Sequence, residues 1–326
     1  MNLQERIVVI TGASSGLGRA TAHEFARKGA RLTLAARHGE VLDHAAEECR
    51  RLGAEVLTVT ADMTREDEVR DIATQTIEKY GGVDVWVNNA AVTFFSPLED
   101  GSMEEHRGVL ETNIFGYVHG ARAVVPHFKK QGYGTLINVS SVLGRVGHPY
   151  VPSYSISKFA DRGITEALRV ELADYPDIHV CSVLPFSIDT PHFLVADNEI
   201  GRLPIPIPPV QSPEKVAKVI VRTAKHPRHE RYVPRIILAG ILCKQLFPKL
   251  TDQLLLHVLR RFHLGPEMPT QHGSAMHPGK IIDGVHGHGA EAAKLRTVLA
   301  YAALEAVRIE AKLMGRRLQR TVRLGR

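Results

Sequence analysis

Tyr154 and Lys158 stand four residues apart in the string Tyr154-Ser155-Ile156-Ser157-Lys158. On a helix that spacing puts both side chains on one face, one turn from each other. An ammonium beside a phenol favours the phenolate, which is expected to lower the tyrosine's pKa towards neutrality. A tyrosine so placed can give or take a proton near pH 7. The pair by itself is equally a surface helix carrying a ring and a charge, so its meaning depends on the elements that position it.

Upstream, the apolar run Ile7-Val8-Val9-Ile10 reads as a buried strand and leads straight into Thr11-Gly12-Ala13-Ser14-Ser15-Gly16-Leu17-Gly18. A helical pattern follows to Lys28 and stops at Gly29. Strand, glycine turn and helix together bring backbone N–H groups to a pyrophosphate at a helix N-terminus. The spacing is Gly-x-x-x-Gly-x-Gly rather than Gly-x-Gly-x-x-Gly, and a glycine-rich turn without a ligand is the plain alternative. The next apolar run, Leu32-Thr33-Leu34-Ala35-Ala36, ends at Arg37, with no acid before Glu40. An acid at that point would hold the 2′-hydroxyl of NAD, whereas arginine pairs with the 2′-phosphate of NADP. NADP(H) is therefore favoured over NAD(H).

Four further signals follow in order. Val83-Asp84-Val85-Trp86-Val87 ends in Asn88-Asn89-Ala90-Ala91; Asn113 lies in Asn113-Ile114-Phe115-Gly116; Thr135-Leu136-Ile137-Asn138-Val139 ends in Ser140-Ser141; then come Tyr154 and Lys158. With the glycine turn, this set resembles the short-chain dehydrogenase/reductase family over about residues 5 to 235. The resemblance implies an oxidoreductase acting on a carbonyl/alcohol pair with a nicotinamide cofactor. It implies Asn113, Ser141, Tyr154 and Lys158 as the catalytic set. Tyr154 would be the acid/base, Lys158 would depress its pKa and hold the nicotinamide ribose, Ser141 would bond the substrate carbonyl, and Asn113 would anchor a relay water. The cofactor site implied is Thr11, Gly12, Ser14, Ser15, Gly16, Leu17, Gly18, Arg37, Asp62, Met63, Asn89, Ala90, Tyr154, Lys158, Pro185, Ile188 and Thr190. Two positions depart from the family pattern, where glycine is usual: Ala91 and Phe186. The second costs backbone freedom beside the cofactor and could put an aromatic wall on the pocket.

These residues need a scaffold, and the apolar runs supply one. Strands near 7–10, 31–36, 55–60, 83–88, 135–140, 179–184 and 231–233 alternate with helical stretches at 16–28, 40–52, 64–80, 110–130, 153–173 and 213–224. That alternation predicts an α/β fold: a Rossmann-type doubly wound parallel sheet of about seven strands with helices on both faces, plus a mainly helical C-terminal extension. Residues 1–235 are expected to form the catalytic domain and 236–326 the extension. Apolar residues make up 44% of the 326, enough for a full core. Residues 191–210 are apolar and proline-rich and match the family's lid, set at about 190–212; an apolar lid points to a lipophilic carbonyl or alcohol substrate. A reductase of thioester-linked acyl chains and a non-catalytic nucleotide sensor or scaffold are the rival readings.

The three cysteines, Cys49, Cys181 and Cys243, have no metal-like spacing and are expected to be buried thiols in a reducing compartment. No signal peptide or spanning segment is expected, which places the chain in the cytoplasm. In the extension, 240–262 reads as an amphipathic helix that either packs on its own domain or lies on a membrane surface. Residues 263–288 read as a loop; His272, His277, His286 and His288 lack the tight spacing of a metal site, and no metal is expected. Residues 290–326 read as a helix with Leu295, Leu299, Ala302, Ala306, Ile309 and Leu313 on one stripe. Its end carries Arg308, Lys312, Arg316, Arg317, Arg320, Arg323 and Arg326 and concentrates the chain's formal charge of +6. No base-stacking aromatics accompany that charge, so nucleic acid is not expected as a partner. The long helices offer a surface for a homo-oligomer.

Overall fold

The structure, a computed structural model, describes residues 3–271, 282–287 and 294–324, with only the helical backbone from 313 onward. The elements run β1 (Ile7–Thr11), α1 (Gly16–Ala26), β2 (Arg31–Ala36), α2 (Gly39–Arg51), β3 (Val56–Thr60), α3 (Glu66–Tyr80), β4 (Val85–Asn88) and β5 (Phe94–Phe95). Then come α4 (Met103–Leu110), a π-helical turn (Glu111–Phe115), α5 (Gly116–Gln131), β6 (Gly134–Val139), α6 (Pro152–Glu171) and β7 (Ile178–Pro185). The chain continues through β8 (Asp197–Asn198), β9 (Arg202–Pro204), α7 (Pro213–Lys225) and β10 (Glu230–Val233). The last elements are α8 (Ile237–Leu246), α9 (Pro248–Phe262), β11 (Leu264–Glu267) and α10 (Leu295–Leu324).

Seven strands pair in parallel in the order β10-β7-β6-β4-β1-β2-β3. Their sequences are near-continuous apolar runs because both faces of the sheet are covered. One face packs Val8, Ile10, Leu32, Leu34 and Val85 against Phe25 of α1, Leu42 of α2 and Ile220 of α7. The other packs Val9, Trp86, Leu136 and Val180 against Ile72 of α3 and Val124 and Phe128 of α5. Strand order reverses between β1 and β4, and the crevice at that switch point is where sheets of this kind bind ligands.

A buried polar chain fixes α6 to the sheet. Trp86 Nε1 donates to Asn88 Oδ1 (2.7 Å), Asn88 Nδ2 to Asn138 Oδ1 (2.9 Å), and Asn138 Nδ2 to Thr165 Oγ1 (2.9 Å). Each buried polar atom in it gains a partner that water would otherwise supply.

Four expectations need correction. The helix expected at 110–130 is two helices separated by the π turn, and it begins earlier, at Met103, where Ser102 caps the first turn through its side chain. The helix expected at 240–262 breaks at Phe247, whose backbone (φ −130°, ψ 61°) precedes Pro248 and so avoids the α region. The buried side of α10 is Val298, Glu305 and Ile309, while Leu295 and Leu299 are exposed. Cys49 and Cys181 are buried, but Cys243 is exposed on α8.

The extension knits onto the lid. β11 pairs antiparallel with β9, Ile205 N–H donates to the His263 carbonyl (2.8 Å), and Asn198 exchanges backbone bonds with Gln271 (2.8 and 2.9 Å). α9 buries Val258 and Leu259, and Phe262 meets Tyr301 of α10 edge-on at 5.3 Å. α8 does the opposite: Ile236, Leu238, Leu242, Leu246 and Phe247 at or beside it are all exposed.

Candidate active site

The turn after β1 is shaped by what cannot fit there. Gly12 has φ +64°, and a Cβ on it would lie 2.8 Å from Ala90 Cα. A Cβ on Gly18 would lie 2.1 Å from the Gly12 carbonyl oxygen, so α1 packs directly on its own turn. Thr11 Oγ1 accepts from the N–H groups of Asn89 (3.0 Å) and Ala90 (3.2 Å), and Asn89 Nδ2 donates to the carbonyls of Thr11 (3.0 Å) and Gly12 (3.3 Å). These bonds lock the turn to the end of β4. Ser15 caps α1 without a side-chain bond to the helix, and the first turn of α1 carries no acid. Both features suit an anionic ligand at this N-terminus, whose dipole already favours one.

The turn opens on a cavity of about 330 Å³. Of the residues expected in the site, all line this cavity except Thr11 and Asn113, which stand behind its wall. Arg37 is half-buried at the end of the cavity beside β2 and β3, with His38, Asp62 and Met63. Asp62 Oδ1 accepts from Thr64 N and Oγ1 (both 2.9 Å), which fixes the loop after β3. On the opposite wall, Thr190 packs against Gly16, where an added Cβ would lie 3.3 Å from Thr190 Cβ. Pro185, Phe186 and Ile188 continue that wall, so the aromatic expected from Phe186 does face the cavity.

At the other end Ser141, Tyr154 and Lys158 converge. Ser141 follows β6 by two residues, its side chain accepting the Leu143 N–H (3.1 Å), and Tyr154 sits in the first turn of α6. Lys158 Nζ lies 5.5 Å from the Tyr154 ring centroid. The expected depression of the Tyr154 pKa is not what the site produces. Burial pushes the phenol above its ordinary value; Lys158 and a hydrogen bond to Ser141 pull it down, but Asp161 raises it. The carboxylate three residues beyond the ammonium offsets it, and Lys158-x-x-Asp161 is itself a same-face pair visible in sequence. Lys158 is raised despite its burial because Asp161 holds its charged form. Asn113, in the π turn, commits both amide hydrogens, to the Val92 carbonyl and to Ser157 Oγ (3.0 Å each), and its oxygen accepts the Val92 N–H (2.8 Å). It clasps the loop after β4 to α6.

The sequence pattern did not reveal the histidines of the substrate end. His192 bonds Thr93 Oγ1 (2.5 Å) and its ring lies 5.9 Å from that of Tyr154. Burial pushes His192 down to about 4 and His148 to about 3. Both line the cavity, and both are neutral imidazoles at pH 7. His263, from the extension, packs against His148 at 4.9 Å and Phe193 at 6.2 Å and donates Nδ1–H to the Ile205 carbonyl (2.6 Å). These residues are far apart in sequence and share no motif; the lid and the extension bring them together.

Residues 282–287 lie along the outside of the glycine turn. The Gly284 carbonyl accepts the Gly16 N–H (2.9 Å), and Asp283 pairs with Arg19 of α1 and with His44 of α2 (2.9 Å). His286 pairs with Glu214 (2.9 Å) and Asp189 (3.5 Å). Of the other histidines weighed as metal ligands, His272, His277 and His288 lie outside the described residues, as does Arg326; the side chains of Leu313, Arg316, Arg317, Arg320 and Arg323 do too.

A family model described as short chain dehydrogenase matches residues 6–199. The chain is 38% identical over 256 residues to "Uncharacterized oxidoreductase YxnA" of Bacillus subtilis (strain 168), covering 78% of this chain and 72% of that protein. It is 34% identical to "3-oxoacyl-[acyl-carrier-protein] reductase FabG" of Thermotoga maritima (68% of this chain, 91% of that one). It is 35% identical to "11-beta-hydroxysteroid dehydrogenase A" of Sesamum indicum (70% and 67%). Among solved structures, a short chain dehydrogenase/reductase from Burkholderia phymatum in complex with NAD superposes with a TM-score of 0.69 at 25% identity, over 77% of this chain and 96% of that one. A glycine turn locked to β4 and a serine, tyrosine and lysine gathered at the sheet's switch point thus come with matching sequence and fold: the chain belongs to the short-chain dehydrogenase/reductase family, oxidoreductases that act on CH–OH/C=O groups with NAD(P).

Proposed function

We propose that this protein is an NADP-dependent oxidoreductase that interconverts a lipophilic ketone or aldehyde and its alcohol. The observation that carries the reading is the cavity itself, which has Arg37 at one end and Ser141, Tyr154 and Lys158 at the other. When bound, the nicotinamide supplies or accepts the hydride at the carbonyl carbon. The Leu17 and Gly18 N–H groups at the start of α1 and the Ser15 hydroxyl would hold the pyrophosphate, the Gly16 N–H being donated to the Gly284 carbonyl (2.9 Å), with Arg37 at the 2′-phosphate and Thr190 at the carboxamide end. Lys158 donates to the Val139 carbonyl and to Asp161, and it lines the cavity, where it would meet a ribose hydroxyl. Ser141 and Tyr154 direct O–H groups at the substrate oxygen and stabilise charge developing there. In reduction Tyr154 gives its proton to that oxygen; in oxidation it takes one. Because the Asn113 side chain is committed, its backbone carbonyl in the π turn is the group left to hold a relay water behind Lys158.

The substrate end supports an apolar ligand. Val92, Phe95, Leu143, Val151, Phe193 and Ile207 line it, with neutral histidines among them. The relatives named for steroid and 3-oxoacyl chemistry fit a carbonyl on an apolar body. No described helix is long and apolar enough to cross a membrane. The exposed apolar residues of α8 support a cytoplasmic enzyme that meets a membrane surface there, a second copy of the chain being the other candidate to cover them. Titration of NADPH and NADH by nicotinamide fluorescence, followed by oxidation with lipophilic ketones, tests the reading. Tight NADPH binding with turnover is expected; turnover with NADH alone would remove the cofactor assignment.

A further inference from the structure

Lys158 is enclosed by protein: its side chain keeps 1% of its accessible surface, and that of Asp161, three residues further along α6, keeps 0%. The ammonium donates to Asp161 Oδ2 (2.9 Å) and to the Val139 carbonyl (3.2 Å). It also lies 4.8 Å from the ring centroid of Tyr117. Asp161 Oδ1 is buried with no hydrogen-bond partner among the described residues. A buried carboxylate with an idle oxygen is costly, and an ammonium this deep needs a counter-charge. The carboxylate that meets this need also opposes the ammonium's field at Tyr154.

We propose that Asp161 is a positioning residue for the Tyr154–Lys158 pair that keeps Tyr154 protonated, and so sets the site to deliver a proton to a carbonyl rather than to take one from an alcohol. This rests on the reading of Tyr154 as the acid/base. With Asp161 ionised, ammonium and carboxylate sum to zero, and loss of a proton from the pair leaves a net negative charge in a water-poor site. Without that carboxylate, the same loss turns a lone buried cation into a neutral pair. The first proton therefore leaves at higher pH when Asp161 is present, whichever of Tyr154 and Lys158 gives it up, because the two share one macroscopic step. Burial raises the Asp161 pKa, while the Lys158 ammonium 2.9 Å away favours its ionised form.

The other groups facing the pair carry no charge there. Tyr117 of α5 is a buried phenol that donates to the Val139 carbonyl (2.8 Å). Ser141 after β6 and Ser157 and Thr165 of α6 are hydroxyls, Thr165 donating to the Asp161 carbonyl (2.7 Å). His192 of the lid is held neutral by burial. Lys158 and Asp161 are thus the charges acting on Tyr154 among the described residues.

The test is the acidic limb of the pH profile of kcat/KM for alcohol oxidation in Asp161→Asn and Asp161→Glu. The Asn variant keeps an oxygen for Lys158 and removes the charge; its midpoint should fall by about one pH unit or more, the usual effect of a charge within about 4–6 Å. The Glu variant should stay near the parent. A folded, cofactor-binding Asn variant whose midpoint is unmoved, or moves up, overturns the proposal. If the Asn variant does not fold, the phenolate difference titration of the parent against Tyr154→Phe decides: Tyr154 should ionise above the ordinary value of about 10, and a midpoint near neutrality overturns the proposal. Unchanged turnover in Tyr154→Phe would instead remove the acid/base reading itself, whatever the Asp161 variants do.

Discussion

Gly18→Ala adds a single methyl at the most crowded point of the molecule's ligand-binding end. Its Cβ would lie 2.1 Å from the Gly12 carbonyl oxygen, 2.7 Å from Asn89 Nδ2 and 2.8 Å from the Gly12 carbonyl carbon. An ordinary contact needs more than 3.4 Å, so the gap must open by over an ångström, and two of the three atoms are backbone. Neither side yields easily. Gly12 is held by Asn89 (3.3 Å) and follows β1 directly, and α1 packs on β1 and α7 through Phe25 and Ile220. Overpacking of this kind costs about 1–3 kcal/mol in stability. An equal loss in cofactor binding weakens Kd by roughly fivefold to 150-fold. Gly163→Ala is the matched control: it is an exposed position inside α6 where a Cβ meets nothing within 4 Å. There alanine should add about 0.5–1 kcal/mol by restricting the unfolded chain. Thermal unfolding with and without NADPH, and fluorescence titration of NADPH, read both. Equal Tm and Kd in Gly18→Ala and the parent would refute the claim that this turn is packed to its limit around the cofactor.

Other consequences follow from the same geometry. Arg37→Asp should reverse the preference between NADPH and NADH, measured as the ratio of kcat/KM values; an unchanged ratio would show that Arg37 does not meet the 2′-phosphate. Stability should fall with acid, because His148 and His192 are held well below the ordinary histidine value of about 6.5. Between that value and about 4 the unfolded chain binds protons that the folded chain refuses, so stability is full above about pH 7 and is lost on descent; His148→Gln should flatten the loss in Tm between pH 7 and 5. Replacing Leu242 and Leu246 by Ser should abolish flotation with vesicles containing anionic lipid while leaving the parent's turnover on a soluble ketone; flotation that persists would clear α8 of that role.

The sheet and the glycine turn were legible because a parallel sheet covered on both faces leaves uninterrupted apolar runs, and because a turn against a pyrophosphate admits only certain residues. Ser141, Tyr154 and Lys158 were legible because they sit on or just after rigid elements at fixed spacing. Two breaks were missed. Thr112 and Asn113 sit in the π turn within a pattern that reads as one helix, and Pro248 could begin a new helix as readily as interrupt one. The substrate end was hidden for a different reason: His148, His192 and His263 meet only once the lid and the extension have paired through β9 and β11. The error at Tyr154 was one of electrostatics. Spacing alone gave the ammonium's sign, and the net field needed the buried partner at Asp161.

The most direct test of the account is single-turnover oxidation of bound NADPH by a reactive lipophilic ketone in Tyr154→Phe, with the Kd for NADPH measured alongside. The phenol's hydroxyl is the proton donor in this account, and removing it leaves the wall of the site in place. Hydride transfer should therefore slow by about 10²–10⁴-fold, the usual worth of a positioned acid, while Kd for NADPH stays within a few-fold of the parent. Turnover at the parent's rate with intact binding would contradict the account at its centre.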